Sequence, residues 1–230
     1  MDAAAVALVP AAGRGERLGG RHPKALVQVH GVPLVVHAVR GLLNAGCVRR
    51  VVVAAPSSYV DTMRAALADG GAKALVVPGG ADRTESVRLA LAAALGESPD
   101  ISIVLVHDAA RAFTPPELVC AVTAAVAAGA PAVVPVLPVA DTVKRVDANE
   151  IVTATVDRAD LRAVQTPQGF ALDVLRRAYE ADGDTTGSHT DDAGLVERIG
   201  VPVSTVPGHP AALKITTPFD LAVAEAVFGR

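Results

Sequence analysis

Five short runs rich in Val, Leu and Ile recur over the first 138 residues: "AVALVP", "VRRVVVAAP", "AKALVVPGG", "ISIVLVHD" and "PAVVPVLP". Between them lie Ala/Leu-rich segments with helical spacing, among them Leu34 to Ala45 and Asp82 to Leu95. Runs apolar on both faces must be covered on both faces. Separated by helices, they fit parallel strands joined by right-handed crossovers. The alternation therefore predicts an α/β chain with a doubly wound, mostly parallel sheet. At 230 residues the chain can bury a full core as one domain with a modest insertion. Aromatics make up only 3% of it and Trp is absent, so that core must be built from small aliphatic side chains.

The pattern breaks after Leu137. The stretch "PVADTVKRVDANEIVTATVDRADLRAVQTPQGF" is more polar, alternates at period two and carries a turn-like "DANE". It predicts a projecting β-hairpin arm at about 138–162. An isolated two-stranded ribbon is marginal in water, so the arm either packs on a partner subunit or folds back on its own domain. Beyond it the sequence predicts a helix near Ala171 to Ala181, a loop "DGDTTGSHTDD" and a helix ending at Ile199. Strands "VPVSTV" and "ALKI" and a helix after Pro218 complete the chain.

Several function classes are disfavoured. A formal net charge of −3 leaves no basic surplus for a nucleic-acid backbone. The apolar N-terminal stretch is too short to span a bilayer and lacks a basic flank, so neither membrane nor targeting segment is expected and the location is read as cytoplasmic. Cys47 and Cys120 lack any CxxC or Cys/His company and read as buried, reduced thiols. There is no GxSxG elbow, HExxH or paired-His spacing to support covalent catalysis or a hydrolytic metal centre. His107, a single histidine at a strand end, is given no role.

Ligands of open parallel sheets bind outside the carboxyl ends of the strands. Three loops there combine small residues with charge: "AAGRGERLGGRHPKA", "PGGADRTES" and "VHDAARAF". The first gives GxGxxxG at Gly13, Gly15 and Gly19, one residue too long for a dinucleotide fingerprint. It also lacks the Gly-Lys-Ser/Thr of a Walker A loop, since Lys24 follows Pro23 and precedes Ala25. What remains is a longer basic loop in which Arg17 and Lys24 can reach the oxygens of a triphosphate while backbone amides hold the rest. Asp108 should emerge at the cleft mouth, as a ligand of magnesium or ribose or as a turn residue. Arg111 either pairs with Asp108 or binds phosphate.

Seven segments in order, "PAAGRGERLGGRHPKAL", "GGADRTESV", "VHDAARAF", "PVADTVKRV", "TVDRADLRAVQTPQGF", "SHTDDAGLVE" and "ALKITTPFDL", resemble the 2-C-methyl-D-erythritol 4-phosphate cytidylyltransferases over nearly the whole chain. The resemblance implies a Rossmann-like nucleotidyltransferase fold. The implied reaction joins CTP to methylerythritol 4-phosphate, in the non-mevalonate route to isoprenoids, giving the CDP-alcohol and pyrophosphate. It also implies magnesium, held by Asp108 or mainly by the CTP phosphates. Pro10, Ala11, Ala12 and Gly13 would cradle CTP, with Arg17 and Lys24 on its phosphates. Gly80, Ala81 and Ser86 would face the cytosine, and Asp108 and Ala109 the ribose and acceptor side. Arg158, Thr166, Thr190 and Lys214 match positions that handle the acceptor. The arm would interlock with a second subunit of a homodimer, so that Arg158, and with it Thr166 and Thr190, would serve the neighbour's site. Ribitol 5-phosphate cytidylyltransferases share most of the nucleotide motifs, which leaves ribitol 5-phosphate as an alternative acceptor. From another class, a NAD-binding oxidoreductase or a silent nucleotide-binding module would share the sheet pattern. The former lacks an acidic residue after its second strand, and the latter has no use for Arg158, Thr190 and Lys214.

Overall fold

Alternate residues of β1 (Ala5–Pro10) enter two different cores. Ala5, Ala7 and Val9 join one apolar cluster, while Val6 and Leu8 join another on the opposite face. The same division runs through β4 (Val48–Ala55), with Val51, Val53 and Ala55 against Val52 and Ala54. It recurs in β6 (Ile103–Val106), with Ile103 and Leu105 against Val104 and Val106. A period of two with apolar side chains on both sides is the pattern of a sheet buried on both faces. The computed structural model describes residues 5–13, 22–97, 100–182 and 191–228.

Helices supply the two covers. On one face α1 (Leu34–Asn44) brings Val35, Val39 and Leu42, α2 (Val60–Asp69) brings Met63 and Leu67, and α4 (Pro116–Ala127) brings Val119, Val122 and Val126. The other face is covered by α3 (Arg83–Glu97), α5 (Leu172–Asp182) and α6 (Asp192–Arg198). Val87, Ala90, Leu91 and Ala94 of α3 recur at i, i+3, i+4 and i+7, which makes one helical stripe. A smaller cluster of Val29, Leu34, Ala112, Ile215 and Ala224 seats the last helix, α7 (Pro218–Phe228), where Phe228 stacks on Phe113 with ring centroids 4.3 Å apart.

A two-residue hairpin pair, β2 (Gln28–Val29) and β3 (Val32–Pro33), precedes α1. The central strands β6, β1, β4 and β5 (Leu75–Pro78) are parallel neighbours. From β1 the chain winds outward through β4 to β5, then returns across the sheet to β6. β1 and β6 therefore flank the point where the strand order reverses.

The excursion is shorter than the polar stretch suggests. After β7 (Ala132–Pro138), only β8 (Val143–Val146) and β9 (Val152–Val156) form a separate antiparallel pair. Their turn is built on Asp147, whose Oδ1 accepts from the N–H groups of Asn149 and Ile151 at 2.9 Å each. The ribbon stays open to solvent, with Ile151 61% exposed and Val152 56% exposed, so in this chain it does not fold back on its own core. The chain then rejoins the main sheet. β10 (Arg162–Val164) runs antiparallel to β7, and β11 (Gln168–Ala171) is inserted antiparallel between β6 and β7. β12 (Ser204–Pro207) pairs with β7 in parallel.

Two expectations need correction. "ALKI" is no strand: Ala212 closes a 3-10 turn at Pro210–Ala212, and Ala212 and Ile215 are buried as core plugs rather than ladder residues. The thiols of Cys47 and Cys120 are free, as expected, but half-buried, with their sulfurs 3.6 Å apart.

Candidate active site

The carboxyl ends of β1, β5 and β6 open into a cavity of about 360 Å³. Pro10, Ala11, Ala12 and Gly13 form one wall, Gly80 to Arg83 with Ser86 a second, and Asp108 to Ala110 a third; Lys24 and Lys214 close it. The cavity thus sits at the reversal of strand order, where an open α/β sheet leaves a crevice.

Each wall is fixed locally. The N–H of Ala11 donates to the Ala54 carbonyl at 2.8 Å, continuing the β1 ladder into the loop, and the N–H of Lys24 returns to the Gly13 carbonyl at 3.2 Å. Lys24 begins a 3-10 turn after Pro23 and donates from Nζ to Thr216 Oγ1 at 3.3 Å. Thr216 is itself held at the start of α7, where Asp220 Oδ2 accepts from the N–H groups of Thr216 and Thr217 at 2.9 and 2.8 Å.

The second wall is the N-terminus of α3. Asp82 Oδ1 accepts from the N–H of Glu85 at 2.8 Å while Glu85 Oε2 accepts from the N–H of Ala81 at 2.6 Å, a reciprocal cap of the Asp-x-x-Glu kind. Ser86, fully buried, accepts from the N–H of Gly80 at 3.1 Å and donates to the Asp82 carbonyl at 2.7 Å. A Cβ at residue 80 would lie 2.2 Å from Glu85 Cγ, so glycine is required for the loop to close on its own cap.

Asp108 is the electrostatic centre. Lys214 Nζ lies 2.8 Å from its Oδ2, Arg111 Nε 3.7 Å from the same oxygen, and Arg83 Nε 4.0 Å from Oδ1. Burial alone would raise the carboxyl pKa, but Lys214, Arg83 and Arg111 outweigh it and hold Asp108 below the usual carboxylate range. Arg83 also ion-pairs with the buried Asp192 at 2.6 Å; burial works against its charge, yet Asp192 and then Asp108 keep its pKa above the usual arginine value. Arg111 donates to the carbonyls of Ala212 and Val164 at 2.7 and 3.2 Å, and its buried Nε has no hydrogen-bond partner among the described residues.

Beyond this cluster a second cavity, about 290 Å³, is lined by Arg83, Asp108, Arg111, Val164, Gln165, Thr166, Gln168, Asp191 and Lys214. Arg83, Asp108 and Lys214 line both spaces. Gln168 braces the far side: its amide donates to Asp191 Oδ2 at 2.7 Å and its Oε1 accepts from the N–H of Ala193 at 3.1 Å. His107 is 1% exposed, with Nδ1 3.0 Å from Thr166 Oγ1. Burial pushes its pKa down to about 4, so the imidazole is neutral at pH 7.

The sequence profile of the 2-C-methyl-D-erythritol 4-phosphate cytidylyltransferases matches residues 5–230. A curated member from Saccharopolyspora erythraea is 67% identical over 96% of this chain and 98% of its own length. One from Nocardia farcinica is 57% identical over 100% of this chain and 96% of its own.

The chain belongs to the 2-C-methyl-D-erythritol 4-phosphate cytidylyltransferase family.

Solved structures agree. The cytidylyltransferase crystal structure from Thermus thermophilus superposes with a TM-score of 0.78 at 36% identity, covering 100% of both chains. That of 4-diphosphocytidyl-2C-methyl-D-erythritol synthase from Anaerococcus prevotii gives 0.83 at 25%, again covering 100% of both. Membership makes the chain a nucleotidyltransferase that transfers a cytidylyl group from CTP to 2-C-methyl-D-erythritol 4-phosphate, on the α/β fold expected from its strand pattern.

Within this cytidylyltransferase fold, Pro10, Ala11, Ala12, Gly13, Lys24, Gly80, Ala81, Ser86, Asp108, Ala109 and Lys214 come together around the first cavity. Thr166 lines the second cavity of its own chain and accepts from the N–H of Asp108 at 3.0 Å. Arg158 is not brought to either cavity: it is exposed at the base of the arm, hydrogen-bonded to the Ala140 carbonyl. Arg17 and Thr190 lie outside the described residues. Arg83 was not singled out from the sequence, although it stands within "GGADRTES"; a cation inside a small-residue loop at a strand end was the available signal.

The described residues do not make a magnesium cage. Among the described residues no group of three His, Cys, Asp or Glu side chains converges, and the carboxylate of Asp108 is already taken up by three cations. No helix among them is long and apolar enough to cross a membrane.

Proposed function

We propose that the two cavities divide the reaction, CTP in the first and the alditol phosphate in the second, with the Arg83–Asp108–Lys214 wall at their junction. The observation that supports this is the sharing of that wall by both spaces. The acceptor phosphate oxygen attacks the α-phosphorus of CTP in line and pyrophosphate departs, with no covalent enzyme intermediate. Two anions that repel each other must be brought into contact, so positioning and prearranged positive charge carry the catalysis.

Lys24, with Arg17, holds the triphosphate while Lys214, Arg111 and Arg83 receive the acceptor phosphate. Asp108 keeps these cations together against mutual repulsion before the phosphate arrives, so little rearrangement is needed when it does. Because the N–H groups of Gly80 and Ala81 are already bonded to Ser86 and Glu85, their carbonyls are what the loop offers to the base. Carbonyls accept from the amino group of cytosine and repel the O4 of uracil. Magnesium enters this reading only as the ion that CTP carries on its own phosphates.

The arm completes the site from a second copy. Its open apolar residues Val146, Ile151 and Val152 are a face in want of cover, and Arg158 sits at its base, away from its own cavities. Thr190 belongs to the acceptor side by its match to the family motif "SHTDD". Soluble protein in the cytoplasm is the setting this reading assumes.

A pyrophosphate-release assay with CTP and magnesium tests the reading. Turnover is expected with methylerythritol 4-phosphate and little with ribitol 5-phosphate or with UTP in place of CTP. A preference for ribitol 5-phosphate would overturn the acceptor, and equal use of UTP would overturn the role given to the Gly80–Ala81 loop.

A further inference from the structure

Arg83 does not close its fork on either of its carboxylates. The Nε and Nη2 groups of a guanidinium share one edge, and that edge suits the two oxygens of a single carboxylate. Here the edge is divided: Nη2 lies 2.6 Å from Asp192 Oδ2, while Nε lies 4.0 Å from Asp108 Oδ1. The Asp192 contact is close but out of line, since Oδ2 has no hydrogen-bond partner among the described residues. Asp192 is the more deeply buried of the two carboxylates, its side chain 1% exposed against 14% for Asp108. It therefore has the stronger need of a forked arginine.

Tyr179 is what holds the fork open. Its hydroxyl has one hydrogen and donates it to Asp192 Oδ1 at 2.5 Å, which turns that oxygen to α5 and leaves only Oδ2 to Arg83. The ring is held independently of this bond. It is buried in the cluster shared by α3, α5 and α6, and Arg88 lies over it at 5.6 Å from its centroid while donating to the Tyr179 carbonyl at 2.7 Å. Tyr179 lines neither cavity, so whatever it does for the reaction it does through Asp192 and Arg83.

We propose that Tyr179 is a positioning residue: by engaging Asp192 Oδ1 it keeps Arg83 singly tethered, so that the guanidinium stays beside Asp108 on the wall common to both cavities instead of closing on the start of α6. The inference rests on the reading that Arg83 receives the acceptor phosphate. It adds what keeps Arg83 in place to do so.

Tyr179→Phe removes one oxygen and leaves the ring to the same packing. In a crystal structure of this variant, Nε and Nη2 of Arg83 should both face Asp192; an Arg83 in its wild-type place overturns the proposal. The KM for methylerythritol 4-phosphate should rise about tenfold, with the KM for CTP unchanged. Lysine is a point charge and cannot fork, so adding Tyr179→Phe to Arg83→Lys should change neither KM further. A full tenfold rise in that background would make Tyr179 a packing residue of α5 and overturn the proposal. So would a raised acceptor KM in Arg83→Lys with Tyr179→Phe like wild type, an outcome that leaves Arg83 on the acceptor. If instead Arg83 moves in Tyr179→Phe and both KM values rise equally, Tyr179 keeps its role and the assignment of Arg83 to the acceptor falls.

Discussion

Lys214 Nζ lies 2.8 Å from Asp108 Oδ2, and both side chains line both cavities. A buried carboxylate beside several cations holds them together, and in the proposed reading the acceptor phosphate is what they receive. Lys214→Ala should fold and bind CTP normally while its kcat/KM for the acceptor falls about 10²–10³-fold, the usual loss for one prearranged electrostatic partner. Steady-state kinetics with each substrate varied in turn reads this. An equal rise in the KM for CTP would place Lys214 on the nucleotide instead.

Lys24 lines the first cavity alone, where the proposed reading puts CTP. Its Nζ is braced by Thr216, and Thr216 by the cap of α7, so the ammonium is aimed before the triphosphate binds. Lys24→Ala should retain the wild-type fold by circular dichroism but lose about 10²–10³ in turnover. Near wild-type turnover would remove Lys24 from the phosphate clamp.

A methyl group at residue 80 would strike the Glu85 side chain at its Cβ as well as its Cγ, at 2.5 and 2.2 Å, so rotating the tip of the glutamate gives no relief. Gly80→Ala should displace the start of α3, costing about 1–3 kcal/mol of stability as overpacked sites do. CTP affinity, measured by calorimetry, should weaken more than affinity for the acceptor.

His107 links stability to pH. Its pKa is about 4 in the folded chain against 6.5 in the unfolded one, so between these values the unfolded state binds the extra proton. Stability is then full above about pH 6.5 and falls as the pH drops toward 4, by about 3 kcal/mol for this residue. Urea unfolding of magnesium-free protein at pH 7 and pH 4.5 should show the fall, and His107→Asn should show less of it.

If Arg158 serves a partner's site, two dead variants can mend each other. A mixture of Arg158→Ala and Lys24→Ala, unfolded and refolded together, forms mixed dimers in which one site has both residues intact. Activity should reappear on mixing. Its continued absence in a mixture shown to contain mixed dimers would confine Arg158 to its own chain.

The sheet was legible because β1, β4 and β6 are apolar on both faces, a property carried by adjacent residues. β11 was not, since "QGFA" is short and its insertion between β6 and β7 is decided by pairing with distant segments. "ALKI" misled because the burial of Ala212, and of Ile215 in the α7 cluster, has the same apolar look as a strand. In the site, the small-residue walls could be read directly, as closeness to a ligand limits side-chain size locally. The alliance of Arg83 with Asp192 and Asp108 could not, because it joins residues far apart in the chain.

The two-sided division of β1 also fixes lengths. Sliding that strand by one residue would exchange the contents of both cores at once, and would carry Pro10 to Gly13 along the strand axis by about 3.3 Å. A displacement of that size is greater than the length of a phosphate hydrogen bond. The two hydrophobic cores therefore serve as a ruler: by refusing every other register, they set how far the nucleotide loop reaches into the cleft.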